Sequence, residues 1–326
     1  MLLLPPGKKL HHYTIESVLG AGGFGVTYRA FDQRERCIVA IKEYFPRSAS
    51  IRDAAGGVQV ASAAQEQLFR WGLDRFVDEA QTLAQFRHPN IVTVLQYFGL
   101  LGTAYLVLEY VEGPSLEQWL ATAAGNPSQE QCDGFATALL GALDTIHRND
   151  ILHRDIAPKN ILIRADGSPV LIDFGSARQL VASRTMMLTA IVTPSYAPYE
   201  QYVASGQDQG PWTDIYAAAA TLYRMLMSRP PPEAPLRALG DAPYEPVAKA
   251  VRGHYRSGFL EAIDWGLRTH PKDRPQSIAE WREPLLSGVL GPGGMLGLDA
   301  AKRFNRSTLQ PLLDRIKDAL RGGRPP

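Results

Sequence analysis

The chain has 326 residues, 45% hydrophobic and 21% charged, and its 34 basic and 33 acidic residues leave a formal net charge of +1. That length suits roughly two domains of about 150 residues, and the even charge balance gives no electrostatic ground for nucleic acid or an anionic membrane as the main partner. The two cysteines, Cys37 and Cys132, form no CxxC or metal-spaced cluster, so a reduced, cytoplasmic protein is expected.

The chain starts MLLLPPGKKLHH, three leucines cut off by two prolines. A signal peptide puts charge first and then an apolar run of roughly 7–15 residues, so no signal peptide is expected in this stretch. No window approaches about 18 uninterrupted apolar residues, and no membrane-spanning helix is expected.

YTIESVLG, GVTYRAFD and CIVAIKEYF, within residues 13–45, alternate apolar and polar residues and predict three strands. Between the first two, LGAGGFGVTY at 19–28 carries GxGxxG at Gly20, Gly22 and Gly25. Glycines let the backbone turn tightly and set N–H groups against phosphates. A Rossmann turn shares this spacing, but it runs from a strand into a helix with an acid about 20 residues on. Here another strand follows and then VAIK, Val39 to Lys42, which tells against a dinucleotide site. A lysine on a strand beside a Gly-rich hairpin can hold the α- and β-phosphates of ATP once an acidic partner fixes it.

Residues 46–62 show little pattern around Gly56 and Gly57. From Gln65 onward Phe69, Leu73, Phe76, Val77, Ala80, Leu83 and Ala84 recur at helical spacing and predict an amphipathic helix, with Ser62 and Gln65 as a capping box. FVDEA places Glu79 on that stripe. A buried carboxylate there needs a mate, for which Lys42 is the obvious choice; the other reading is a surface Glu at the stripe edge.

IVTVLQYFG and AYLVLEYV predict two more strands, closing a strand-rich lobe near Val111. SLEQWLATA and QCDGFATALLGALDTIHR predict helices, ILIR and PVLID a short strand pair, and an irregular stretch at 173–212 leads into further helices. After Gly-rich 291–298, Leu309, Leu312, Leu313, Ile316 and Leu320 line one face of a tail helix, packed on the second lobe or docking a partner.

HRDIAPKN at 153–160 and LIDFG, holding Asp173, complete a set. With the Gly-rich turn, VAIK and Glu79 in the same order, the sequence resembles the protein kinase family from residue 13 to about 287. It is most similar to bacterial kinases of the eukaryotic-like (Hanks) Ser/Thr type, by IKEYFP at 41–46 and YAPYEQY at 196–202. The resemblance implies an α+β, two-lobed kinase fold: an N-lobe at 13–111 with one main helix, and a larger, mostly helical C-lobe at 112–287. Residues 288–326 would be a Gly-rich linker and the tail helix.

The resemblance also implies ATP and Mg²⁺ as cofactors and Ser/Thr-bearing proteins as substrates, the chain itself in trans among them. Asp155 would accept or orient the proton of the substrate hydroxyl, and Asn160 and Asp173 would bind Mg²⁺. Lys42, paired with Glu79, would hold the α/β-phosphates under the Gly20–Gly22–Gly25 lid. Leu19 and Thr27 would border the nucleotide, Thr27 in the place of the family's usual Val. Leu108 would be the gatekeeper, backbone groups of Glu109 and Val111 would bond adenine, and Ala40 and Leu162 would lie above and below the ring. Thr193 matches the substrate platform, and Glu200, Arg274 and Asp214 match structural anchors.

Besides Thr27, the pattern departs from the family at three further places. Ala157 stands where Ser/Thr members carry a Lys that meets the γ-phosphate, while Lys159 lies two residues on, where tyrosine kinases of the receptor type carry a basic residue. The charge reads as relocated, and retention of Lys42, Asp155 and Asp173 favours an active enzyme over a pseudokinase scaffold. Thr193 with Pro194 favours Ser/Thr over Tyr or dual specificity, and the long segment 173–200 tells against a small-molecule kinase. The usual Ala-Pro-Glu is reduced to Pro198-Tyr199-Glu200. Finally, residues 46–68 lengthen the span between Lys42 and Glu79, as a clamp, a docking face or a plain surface insertion. Arg154 is expected to meet a phosphate on Ser183, Thr185 or Thr189.

Overall fold

Strand alternation in the first hundred residues becomes one antiparallel sheet in the computed structural model, which describes residues 3–123, 125–173, 193–202 and 209–287. Ser183, Thr185, Thr189 and the tail helix lie outside the described residues. The strands are β1 (Lys9–Leu10), β2 (Tyr13–Ala21), β3 (Gly25–Asp32) and β4 (Cys37–Tyr44). A small hairpin follows, β5 (Ser50–Arg52) and β6 (Val58–Val60), then helix α1 (Glu66–Leu83), β7 (Val94–Leu100) and β8 (Thr103–Glu109). The sheet order is β1-β2-β3-β4-β8-β7, with β5–β6 as a separate pair.

Period-2 side-chain geometry sorts the strand residues. On β3, Val26, Tyr28, Ala30 and Asp32 are all buried, and on β4 Val39, Ile41 and Glu43 share that face, where Leu4 N–H donates to the Tyr28 hydroxyl at 3.3 Å. The opposite face meets α1. Tyr44 packs between Phe69 and Phe76, with ring centroids 5.3 and 5.7 Å away, and its hydroxyl donates to Phe69 O at 3.2 Å. Gly72 makes this approach possible, since a Cβ there would collide with the Tyr44 hydroxyl. The buried stripe of α1 is Phe69, Gly72, Phe76, Glu79, Ala80 and Leu83.

Two expectations change here. The low-pattern stretch after Tyr44 forms the β5–β6 hairpin. The capping box at Ser62 and Gln65 does not form: Ser62 Oγ donates to Gln65 Oε1 at 3.1 Å, and Gln65 Nε2 is drawn to Ser48 O. With both side chains engaged elsewhere, a short 3-10 turn (Ala63–Gln65) leads into α1.

The second compact unit begins at Gly113. It contains α2 (Leu116–Thr122), α3 (Gln129–His147), the pair β9 (Ile161–Ile163) and β10 (Pro169–Leu171), and α4 (Pro211–Met227). Helices α5 (Ala234–Leu239), α6 (Val247–Ala250), α7 (Ser257–Gly266) and α8 (Ile278–Ser287) follow. Ser115 with Gln118 and Ser128 with Gln131 form complete capping boxes at α2 and α3. Helix α4 is buried almost all round, from Thr213 through Tyr223 and again at Met225 and Leu226, which makes it the central helix of the unit. Among the described residues no helix is long and apolar enough to cross a membrane, and Cys37 and Cys132 are free thiols.

Candidate active site

In the first unit, β-pairing aligns the nucleotide-binding candidates. Thr27 sits opposite Lys42, and Ala40 sits opposite Leu108. Ala40, Lys42 and Tyr44 alternate onto the face that meets α1. Lys42 Nζ lies 6.0 Å from the centroid of the Phe76 ring, and Glu79, one helical turn beyond Phe76, is 8% exposed. The Lys42 side chain therefore reaches the helix that carries Glu79, at the residue one turn before it. Val111 is buried, and the Glu109 N–H already donates to Thr93 O at 2.9 Å. A contact from Glu109 to adenine must then use its carbonyl.

The three loop glycines are not equivalent. A Cβ on Gly25 would collide with Glu43 O, whereas one on Gly20 or Gly22 would meet nothing closer than 4.0 Å. Leu19, at the rim, is 46% exposed.

In the second unit, the chain leaving α3 turns through positive φ at Asp150 (58°) and Arg154 (67°). Asp214 of α4, wholly buried, pins this turn: Oδ2 accepts from His153 N–H at 2.8 Å and Oδ1 from Arg154 N–H at 2.7 Å. His147 Nε2 lies 2.8 Å from Asp214 Oδ2. Burial alone would raise the carboxyl's pKa, but the His147 contact and the backbone donors outweigh it and hold the pKa below the ordinary value. Burial pushes the neighbouring His153 the other way, toward the neutral imidazole.

The pinned turn presents Asp155. Asn160 Nδ2 donates to Asp155 O and to Asp155 Oδ2, both at 2.8 Å, and Thr193 Oγ1 donates to Asp155 Oδ1 at 2.5 Å. The two donations fix the Asn160 amide, so its carbonyl oxygen is the atom it can offer a cation. Ile172 N–H donates to Asn160 O at 3.0 Å, which keeps Asp173 (φ 59°) next to that turn. An amide and a carboxylate oxygen suit Mg²⁺, which keeps several water or phosphate ligands. No cluster of three or more His, Cys, Asp or Glu ligands occurs among the described residues. Leu162 lies on β9 and bridges Ser115. Ala157 is 1% exposed, whereas Lys159 is exposed with no ion-pair partner among the described residues.

Arg154 is largely buried, and its Nε has no hydrogen-bond partner among the described residues. Burial lowers its pKa. Glu200 and Arg274 form the expected pair, at 2.7 and 3.0 Å, with Arg274 also donating to Arg268 O, Thr269 O and Trp212 O.

Sequence reasoning missed several supporting residues. Gln201 Nε2 holds Arg154 O at 2.8 Å, Thr213 Oγ1 donates to Glu200 Oε1 at 3.0 Å, and His147 contacts Asp214. Their side chains are ordinary in sequence, and only the loop they meet gives them a task. Glu43 left a readable signal: a carboxylate in phase with Val39 and Ile41 on a buried strand face.

An antiparallel sheet with one long helix, joined to a helical unit carrying an Asp–Asn loop, is the protein kinase fold. Residues 13–275 match the protein kinase domain, and the chain belongs to that family. It is 33% identical over 231 residues to a probable serine/threonine-protein kinase PknB of Bifidobacterium longum, covering 67% of this chain and 30% of that protein. It is 31% identical over 290 residues to serine/threonine-protein kinase PknB of Mycobacterium leprae, covering 84% of this chain and 42% of the relative. The chain thus spans less than half the length of these curated relatives. The solved apo form of PpkA-294 is similar at TM-score 0.80 and 35% identity, over 87% of this chain and 99% of that one.

Proposed function

We propose that the chain is an active protein kinase that transfers the γ-phosphoryl group of ATP to Ser or Thr hydroxyls of proteins. The observation that carries this reading is the held carboxylate of Asp155, fixed at one oxygen by Asn160 and touched at the other by the Thr193 hydroxyl. A substrate hydroxyl would make the same kind of contact as Thr193 and be oriented for in-line attack, Asp155 taking its proton. Lys42, braced by Glu79, holds the α- and β-phosphates beneath Gly20, Gly22 and Gly25. The Glu109 carbonyl and Val111 N–H hold adenine, with Leu19, Thr27, Ala40 and Leu162 against the ring. Asn160 and Asp173 hold Mg²⁺, which when bound neutralises phosphate charge. Lys159 supplies the positive charge that Ala157 lacks.

The kinase domain on this reading is 13–287, with lobes at 13–111 and 112–287, and 288–326 is an appended linker and tail helix. A cytoplasmic setting supplies ATP and suits two free thiols. Arg154 Nε, without a hydrogen-bond partner among the described residues, supports activation by a phosphate on Ser183, Thr185 or Thr189, placed there by a second copy of the chain.

The test is phosphate transfer from labelled ATP with Mg²⁺ to a generic basic protein and to the chain itself, for wild type, Asp155→Asn and Lys159→Ala. Transfer by wild type that collapses in both variants is expected, and mass spectrometry of the same samples should find activation-segment phosphate only where Asp155 is intact. Absence of transfer by wild type with ATP binding retained would replace the reading with a scaffold role. Full activity of Lys159→Ala would remove that residue's role alone.

A further inference from the structure

The stretch that lengthens the span between Lys42 and Glu79 is a built element, and its one buried cation reaches the strand that carries Lys42. Arg52, on β5, forks onto Glu43, donating to Oε1 at 2.9 Å and to Oε2 at 2.5 Å, and stacks 4.6 Å over the Phe45 ring. Glu43 is wholly buried and also accepts from the hydroxyls of Tyr28 at 3.0 Å and Tyr105 at 2.7 Å. These residues stand on β3, β4 and β8, so one carboxylate ties three neighbouring strands. Strand register sets Thr27, Lys42 and Leu106 side by side at the adjacent level, and alternation puts Lys42 on the opposite face from Glu43.

The same segment holds the Gly-rich turn and the head of α1. Phe45 N–H donates to Phe24 O and Arg47 N–H to Gly23 O, both at 3.0 Å. At its far end Gln65 reaches back to Ser48 O just before α1 begins. Val58 N–H donates to Leu101 O at 2.7 Å, at the β7–β8 turn.

We propose that the Glu43–Arg52 pair positions the ATP-binding parts of the first unit: it sets the register and tilt of β4 at Lys42 and the height of the Gly-rich turn. Arg52 and Glu43 are positioning residues and touch no nucleotide. A buried pair that served only stability could be exchanged for neutral side chains at little loss. A forked pair that also takes two tyrosine hydroxyls fixes geometry instead. The proposal rests on the reading that Lys42 and the Gly-rich turn hold the phosphates.

The test uses the 326-residue chain, with KM measured separately for ATP and for a basic protein acceptor. In the double variant E43Q/R52M, which leaves no unpaired charge, KM for ATP should rise about tenfold while KM for the acceptor stays put. Arg52→Lys keeps the charge without the fork and should give an intermediate KM for ATP. Loss of folded enzyme lowers kcat and moves neither KM, so the split separates positioning from stability. Wild-type KM for ATP in folded E43Q/R52M overturns the proposal, and if that variant does not fold, wild-type KM in Arg52→Lys does so. A Lys42→Met variant with wild-type kcat/KM for ATP would overturn the underlying reading and the positioning role with it.

Discussion

Asp214→Asn isolates what anchors the loop proposed to be catalytic, because it changes one atom in a wholly buried group. The native carboxylate accepts from Arg154 N–H at one oxygen and from His153 N–H at the other, with His147 on the second. Asn offers a single acceptor oxygen. Whichever way the amide turns, its NH₂ faces a backbone N–H, leaving a buried donor unsatisfied at about 1–3 kcal/mol and replacing a charged acceptor by a neutral one. A total of about 3–4 kcal/mol follows from those ranges. Released in the loop that presents Asp155, it should lower kcat about 100-fold or more, at tenfold per 1.4 kcal/mol. The second unit should also melt about 6–16 °C earlier, at roughly 2–4 °C per kcal/mol for its size. Steady-state kinetics and a thermal melt read both quantities. A kcat within about threefold of wild type, with melting within about 2 °C, would refute the anchoring argument.

The same carboxyl predicts a pH limb. Its folded pKa is depressed, so its stabilisation is complete above the unfolded value of about 4 and drains away as pH falls through the lower folded value; Asp214→Asn should lack that limb in acid melts. Gly25→Ala forces a Cβ into Glu43 O and should cut kcat/KM for ATP at least about tenfold, while Gly20→Ala, with open space around it, should have a smaller effect. Arg274→Ala strands the buried Glu200 carboxylate and three carbonyls, costing about 3–5 kcal/mol, read as a fall in melting temperature that the neutral pair E200Q/R274M should lessen but not abolish, since it removes the stranded charge and still leaves the three carbonyls unpaired.

The strands within residues 13–45 and the stripe of α1 were legible because alternation and helical periodicity run long enough to be distinctive. The Asp155–Asn160 spacing was legible through family resemblance, and the structure adds the two bonds that join those residues. The β5–β6 hairpin was not legible. Its strands, SIR and VQV, are three residues each and give no period to read. Arg52 looks like a surface cation until Glu43 is placed across from it. The capping box failed for a related reason: Ser62 and Gln65 carry the right groups, but Ser48, distant in sequence, takes the Gln65 amide. Nor could spacing rank the loop glycines. Gly25 alone lies tight against the backbone of β4, a constraint set by strand pairing.

The fate of the missing lysine follows from how the loop is held. Asp214 and Gln201 fix its backbone and Asn160 fixes Asp155, and none of these bonds uses the side chain at 157. Ala157 is packed at 1% exposure, so its methyl fills the space and the loop's geometry does not depend on a cation there. On the proposed reading the tasks of the two groups also differ. Asp155 must point, and it is bonded at both oxygens. A lysine serving a phosphate needs charge and reach, since an ammonium on a four-carbon stem acts as a mobile point charge. Lys159 stands exposed two residues beyond Ala157, unpaired among the described residues and free of the bonds that a directional role would require. On the proposed reading the chain keeps rigid the group that must aim, and leaves loose the group that must only arrive.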